Sequence, residues 1–202
     1  VSRDYKEAAK WYEQAIDGGS TNAVFNLAML YEAGLGVTRD IERAKTLFLS
    51  AADRGIAEAQ NNLGVLYSES QSNPEERNRA LFWLLRAAHQ GLPEAEANLG
   101  LLYRNGIAVK RDYQEAFRWF KSAAASDIAL AQFYLGEAYR LGDGVAANKT
   151  ESAKWLKKAS DKGIAAADTR LAMMYDTGIG TTKNPERAAQ LFLKSANAGD
   201  VS

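Results

Sequence analysis

The apolar positions of this chain recur with a period of 36 residues. Shifted against itself by that interval, the sequence begins a new copy at Thr21, Ala57, Pro93, Ala129 and Ala165, with no insertion or deletion. The seventh position of each copy is leucine (Leu27, Leu63, Leu99, Leu135, Leu171) and the eleventh is tyrosine (Tyr31, Tyr67, Tyr103, Tyr139, Tyr175). All four tryptophans, Trp11, Trp83, Trp119 and Trp155, share one column, and fifteen of the sixteen glycines fall in four columns, leaving out Gly18. A fixed period of this length marks stacked supersecondary units, none of which can bury its apolar face alone.

Within a copy the spacing predicts two helices. The first runs over about residues 22–33, with Leu27, Ala28 and Tyr31 on one face. The eighth position is always small (Ala28, Gly64, Gly100, Gly136, Ala172). Glycine inside a helix costs about 1 kcal/mol against alanine, so its use there predicts a close helix approach. The second helix carries the stripe Ala44, Leu47, Phe48, Ala51, repeated as Ala116, Trp119, Phe120, Ala123. Asp4, Asp112 and Asn148 each precede a glutamate by three residues (Glu7, Glu115, Glu151), a capping-box arrangement. Pro185 after Asn184 fits a first helical turn, where no N–H is needed. Gly19, Gly55, Gly91, Gly163 and Gly199 predict left-handed helix ends, a column that Asp127 breaks. Paired glycines at Gly34 and Gly36, Gly142 and Gly144, and Gly178 and Gly180 predict the reversal between helices. The stretch from Ser68 to Pro74 has no glycine, and Asn73 is expected to cap a helix starting at Pro74.

The resulting expectation is all-α: an α/α superhelical solenoid of about five and a half 36-residue two-helix repeats, right-handed, over residues 1–202. Residues 1–20 form a partial repeat with a second helix only, followed by full repeats at 21–56, 57–92, 93–128, 129–164 and 165–200. The opening Val1-Ser2-Arg3-Asp4 matches the loop endings before Asp40 and Asp112, Trp11, Tyr12 and Ile16 read as core residues, and a further repeat would begin at Val201. These ends lack the polar caps of a finished array, so a fragment of a longer protein, or an end that pairs with another chain, is expected.

Ala57-Glu58-Ala59-Gln60, then Asn62-Leu63-Gly64 and Tyr67, together with Gly-x-Gly-Val, Asp-Tyr-x-x-Ala and Trp-Phe-x-x-Ala-Ala, resemble Sel1-like repeats over nearly the whole chain. The resemblance implies a superhelix related to tetratricopeptide arrays. It also implies an adaptor role, which in bacteria serves signalling, secretion and host interaction and in eukaryotes protein quality control. One bacterial branch staples each repeat with paired cysteines and is linked to β-lactam binding; this chain has no cysteine, so that property is not carried over.

Composition narrows the chemistry. Twenty-five basic residues balance twenty-five acidic ones, which leaves no net field for nucleic acid or an anionic membrane. No run of about 18 apolar residues predicts a membrane span, and the N-terminus shows no signal-peptide pattern. Lack of cysteine removes disulfides, thiolate metal sites and thiol nucleophiles, and leaves cytoplasm, periplasm and secretion all compatible. The single histidine, His89, sits at a helix end in a polar column, so no histidine triad or multi-histidine metal site arises from this chain alone. The Gly-x-Gly loops lack the strand that a dinucleotide fingerprint needs, and Leu141-Gly142-Asp143-Gly144 has too few carboxylates for a calcium loop. No cofactor is expected. The tryptophan column, spaced with alanines, reads as helix packing.

The surface expected to act is a concave groove lined by the first helices at repeat positions two, five, nine and twelve, as in related arrays. Phe25, Met29, Leu101, Phe133 and Met173 are apolar there, Arg104 and Arg140 would read an acidic group on a partner, and Glu32 and Glu137 complete the lining. Exposed apolar anchors beside arginine suit peptide or helix capture; burial against the next repeat is the other reading of the same side chains. The function expected is protein–protein interaction as an adaptor or scaffold, without enzymatic activity. The alternatives are self-association through an open end and, lower, a hydrolase with no motif behind it.

Overall fold

The computed structural model describes residues 4–70 and 73–199. Of the positions used above, Val1–Arg3, Gln71, Ser72 and Asp200–Ser202 lie outside them. The described residues form eleven helices and no strand. First helices are α2 (Thr21–Ala33), α4 (Ala57–Ser68), α6 (Pro93–Asn105), α8 (Ala129–Leu141) and α10 (Ala165–Thr177). Second helices are α1 (Tyr5–Asp17), α3 (Ile41–Asp53), α5 (Pro74–His89), α7 (Tyr113–Ala125), α9 (Lys149–Asp161) and α11 (Pro185–Asn197). The chain divides into two compact units, residues 1–95 and 96–202. In unit 1 α1 to α5 pack each on the next, and in unit 2 α7 to α11 do the same, with Ala97 of α6 in one core cluster with Ala116 and Phe120 of α7.

Local chemistry places the helix ends. Asp4, Asp112, Asn148 and Asn184 accept hydrogen bonds from backbone N–H groups two or three residues on, and Asn73 does the same ahead of Pro74. The return half of the capping box is replaced by something the repeat supplies. The backbone N–H of Asp40, Asp112, Asn148 and Asn184 donates to the carbonyl of the column tyrosine (Tyr31, Tyr103, Tyr139, Tyr175) at 2.8–3.0 Å, which ties the loop across the helical hairpin. The cap glutamates pair forward instead, Glu115 with Arg118 and Glu151 with Lys154, each at 2.6 Å.

Second helices end in Schellman turns. The N–H of Ser20, Ile56, Leu92, Ile128 and Ile164 reaches back to the carbonyl five residues earlier at 2.9–3.3 Å. Ile56, Ile128 and Ile164 then pack onto the core clusters of their units. Asp127 keeps the left-handed conformation, φ 68°. Its carboxylate accepts from Gln132 Nε2 at 2.8 Å and Lys162 Nζ at 2.5 Å, and the Lys162 bond, followed by that of Gln132, lowers its pKa.

The small eighth position has the predicted reason. A methyl on Gly64 would stand 2.7 Å from Leu84 Cγ, one on Gly136 2.8 Å from Leu156 Cγ, and one on Gly100 2.6 Å from Phe120 Cδ1. The leucine, alanine and phenylalanine stripes are buried as expected, with Phe48, Leu63, Leu99, Leu135 and Ala44 fully out of solvent. Trp83 is buried and Trp119 and Trp155 are half-buried, in keeping with a packing column. Trp11 departs from it at 60% exposure, so of the residues read as core in α1 only Tyr12 and Ile16 pack inward.

Candidate binding face

The nine groove residues come from first helices and fall into two environments. Position five faces the interior. Asn61, Ala97 and Thr169 are buried there. Phe25 lies half-buried with its ring 5.8 Å from Phe48, and Phe133 packs on a core cluster and edge-on to Tyr134 at 5.1 Å. Leu101, at position nine, also packs on its unit's core. Position nine opens at Met29 and Met173, 39% and 44% exposed.

In unit 1, Phe25 and Met29 line a cleft between α1 and α2 with Tyr5, Tyr12 and Leu35. Glu32 stands at the end of α2. Its carboxyl pKa is raised, first by burial and then by Glu69, against a smaller opposing effect of Arg39.

Unit 2 holds the most structured part of the face. Glu137 is 7% exposed, and its carboxylate accepts two hydrogen bonds from the Arg140 guanidinium, at 2.6 Å from Nε and 2.8 Å from Nη2. Arg170 Nε approaches the same carboxylate at 3.5 Å without hydrogen-bond geometry. The bidentate bond to Glu137 raises the Arg140 pKa, so that side chain stays charged. Lys149, at the start of α9, donates to the Arg140 carbonyl at the end of α8, a cation placed where a helix leaves its last carbonyls open. Arg140, Lys149 and Arg170 line a cleft of about 270 Å³ with Met173, Thr177 and Ile179. Arg104 sits elsewhere, its guanidinium 5.0 Å from the Tyr134 ring centroid in a nearly filled crevice with Tyr113 and Asp143.

Of the residues expected from the sequence, Arg140, Met173 and Glu137 come together in unit 2, joined by Arg170 and Lys149, which the sequence did not single out. The i,i+3 spacing of Glu137 and Arg140 was a readable signal for their pairing. A second polar set was also missed, the buried fourth position of the first helices. Gln60 Nε2 donates to the Ala52 carbonyl at 3.0 Å, and Asp168 accepts from Ser160 Oγ and, at 2.9 Å, from Lys194 Nζ. The Gln60 and Ser160 bonds fasten α4 and α10 to the ends of the preceding second helices, α3 and α9, and the Lys194 bond ties α10 to the following one, α11. His89 is exposed at the end of α5. Among the described residues no three His, Asp or Glu side chains gather as a metal site, and no helix is long and apolar enough to cross a membrane.

Comparison with known proteins decides the family. The Sel1 repeat model matches residues 1–20, 21–56, 57–92, 93–127, 129–164 and 165–200. The chain belongs to the Sel1 repeat family. Sel1 repeats generally mediate protein–protein interaction and typically form non-enzymatic scaffolds. Two solved Sel1-type structures superpose with a TM-score of 0.85. One is c5321, a protective antigen of uropathogenic Escherichia coli strains displaying an SLR fold, 33% identical over 95% of this chain. This chain spans 41% of the length of that one. The other is a Sel1 repeat protein from Oxalobacter formigenes, 30% identical, covering 96% of this chain and 78% of its own. Immunity protein Pa5087 from Pseudomonas aeruginosa, 21% identical over 98% of this chain and 76% of its own with a TM-score of 0.62, shares the fold. No curated protein matches the chain.

Proposed function

We propose that this Sel1 repeat chain is an adaptor that holds a partner protein or peptide through the face of its first helices, without catalysing a reaction. One observation supports the reading above the others: Arg140 and Met173, from the neighbouring first helices α8 and α10, share a solvent-open cleft. Packed repeats give such a face little ordering cost on binding. Phe25, Leu101 and Phe133 contribute as props, since each packs on a core cluster, while Met29 and Met173 offer the apolar contact.

A photo-crosslinking side chain placed at Met173, at Met29, or at the exposed Lys121 of α7 tests this in native extract. Adducts at Met173 or Met29 and none at Lys121 support the face assigned here. Adducts at Lys121 alone move binding to the second helices and refute it. Self-association is a second reading, favoured by the apolar cleft between α1 and α2 that holds Phe25 and Met29. A mass that rises with concentration in sedimentation, lost in Met29→Glu, supports it; a constant monomer mass removes it.

A further inference from the structure

The cleft of unit 2 has a definite electrostatic character. Its lining sets three cations, Arg140, Lys149 and Arg170, beside Met173, Met174 and Ile179. Glu137 and Asp143 both act on Arg140. Glu137 occupies Nε and Nη2 of Arg140 and lies 3.5 Å from Arg170 Nε. Asp143 is near enough to stabilise the Arg140 charge but lines a different crevice. Three positive charges thus line the cleft, and the Glu137 carboxylate is turned chiefly to Arg140. The donors left for a ligand are Arg140 Nη1, the Nη groups of Arg170 and the remaining hydrogens of Lys149. Arg170 and Lys149 are the two cations not bound bidentately, and Met173 and Ile179, 44% and 53% exposed, supply apolar contact next to them.

We propose that this cleft takes a peptide carboxylate with an apolar neighbour, the carboxylate between Arg170 and Lys149 and the apolar side chain on Met173 and Ile179. The inference rests on partner binding as the chain's function and names the partner's chemistry. A charge-assisted bond to a partly desolvated guanidinium is about twice as strong as a neutral one, and the thioethers of Met173 and Met174 adapt to differing apolar shapes. Glu137 serves as a positioning residue, fixing the Arg140 fork and drawing Arg170 inward. A cleft of about 270 Å³ admits one or two side chains. With 25 basic and 25 acidic residues in the chain, no extended field favours a polyanion such as nucleic acid.

Random heptapeptides, blocked at both ends, are selected on the full chain and on Lys149→Gln/Arg170→Gln, with circular dichroism confirming the variant's helicity. A parallel library with free C-termini separates a terminal carboxylate from a side-chain one. Site of binding is read from methyl spectra of ¹³C-methionine protein. The chain has three methionines, so Met173 and Met174 report the cleft and Met29, in the other unit, is the control. Enriched peptides should pair a carboxylate with Leu, Ile, Phe or Met, shift Met173 and Met174 but not Met29, and bind at least tenfold more weakly to the variant. Replacing the peptide's Glu by Gln should cost the same tenfold on the unaltered chain, which keeps the test sound should the variant misfold. Peptides without a carboxylate that shift Met173 would overturn the carboxylate inference while sparing partner binding. Binding that leaves Met173 and Met174 unmoved, or no enrichment at all, would overturn the assignment of this cleft, and the crosslinking result would then judge partner binding separately.

Discussion

Removing Arg140 should destabilise unit 2 much more than removing Glu137, although the two side chains make the same pair of hydrogen bonds. The asymmetry comes from burial. The Glu137 side chain is 9% exposed against 31% for Arg140 and 40% for Arg170. At an effective dielectric of about 20, unit charges 2.8 Å apart attract by about 6 kcal/mol, most of which offsets desolvation of the carboxylate. Arg140→Met deletes that attraction and leaves the buried carboxylate with only Arg170, at 3.5 Å. Breaking a buried pair in this way costs about 3–5 kcal/mol, and the remaining arginine reduces it to about 2–4. Glu137→Met removes the buried charge itself, fills similar volume with an apolar side chain, and leaves two guanidiniums with access to water. That change should lie within about 1 kcal/mol of the unaltered chain, since apolar replacement of a buried ion is commonly neutral or favourable. The double variant Glu137→Met/Arg140→Met should then resemble Glu137→Met alone. Urea unfolding at low ionic strength, followed by circular dichroism at 222 nm, measures all four proteins. Stacked repeats sum nearest-neighbour terms, so the loss belongs to the transition that includes α8 to α10. A loss for Glu137→Met equal to that for Arg140→Met, or a coupling below about 0.5 kcal/mol, would refute the reasoning.

Three further outcomes follow from single positions. Gly100→Ala brings a methyl to 2.6 Å from Phe120 Cδ1, and that ring is buried and stacked 5.1 Å from Tyr134; overpacking of about 1–3 kcal/mol less about 1 kcal/mol of helix propensity should lower the thermal midpoint, and an unchanged midpoint would show that the ring yields. Ala108 holds φ 63° in the column occupied by Gly36, Gly144 and Gly180, so Ala108→Gly should stabilise by up to about 1 kcal/mol in the same urea assay. Glu32 has a raised pKa, so the folded chain binds that proton more tightly than the unfolded one; stability is full below the ordinary value of 4.5 and falls as pH rises through the higher folded value. Glu32→Gln should therefore raise the urea midpoint at pH 7 and leave it unchanged below 4.5, and equal effects at both would contradict the assignment.

The reading of the chain succeeded where one residue type answers to one backbone or packing demand. Left-handed glycines, Asp and Asn caps and the small eighth position each carry their reason in their own identity, so repetition alone made α1 to α11 legible. The binding face was less legible because a column varies for two opposite reasons. Position nine varies at Met29 and Met173 because solvent tolerates change, whereas position five varies among Asn61, Ala97, Phe133 and Thr169 because interior neighbours change with it. A single sequence shows the variation without the neighbour, and so it left Phe25 and Phe133 open between exposed anchor and packing, where the fold packs both against core clusters. Charge shows the same dependence on neighbours. Arg140 is expected to read an acidic group on a partner, and in the fold two of its nitrogens, Nε and Nη2, are occupied by Glu137. The cations with capacity to spare, Arg170 and Lys149, stand at repeat positions six and twenty-one, in a first helix and at the start of a second, and only folding brings them to one cleft. A repeat sequence thus reveals its scaffold through what it conserves between copies within one chain. Its site depends on departures from the repeat whose meaning is set by contacts between copies, and the pairing of Glu137 with Arg140 and Arg170 is such a departure.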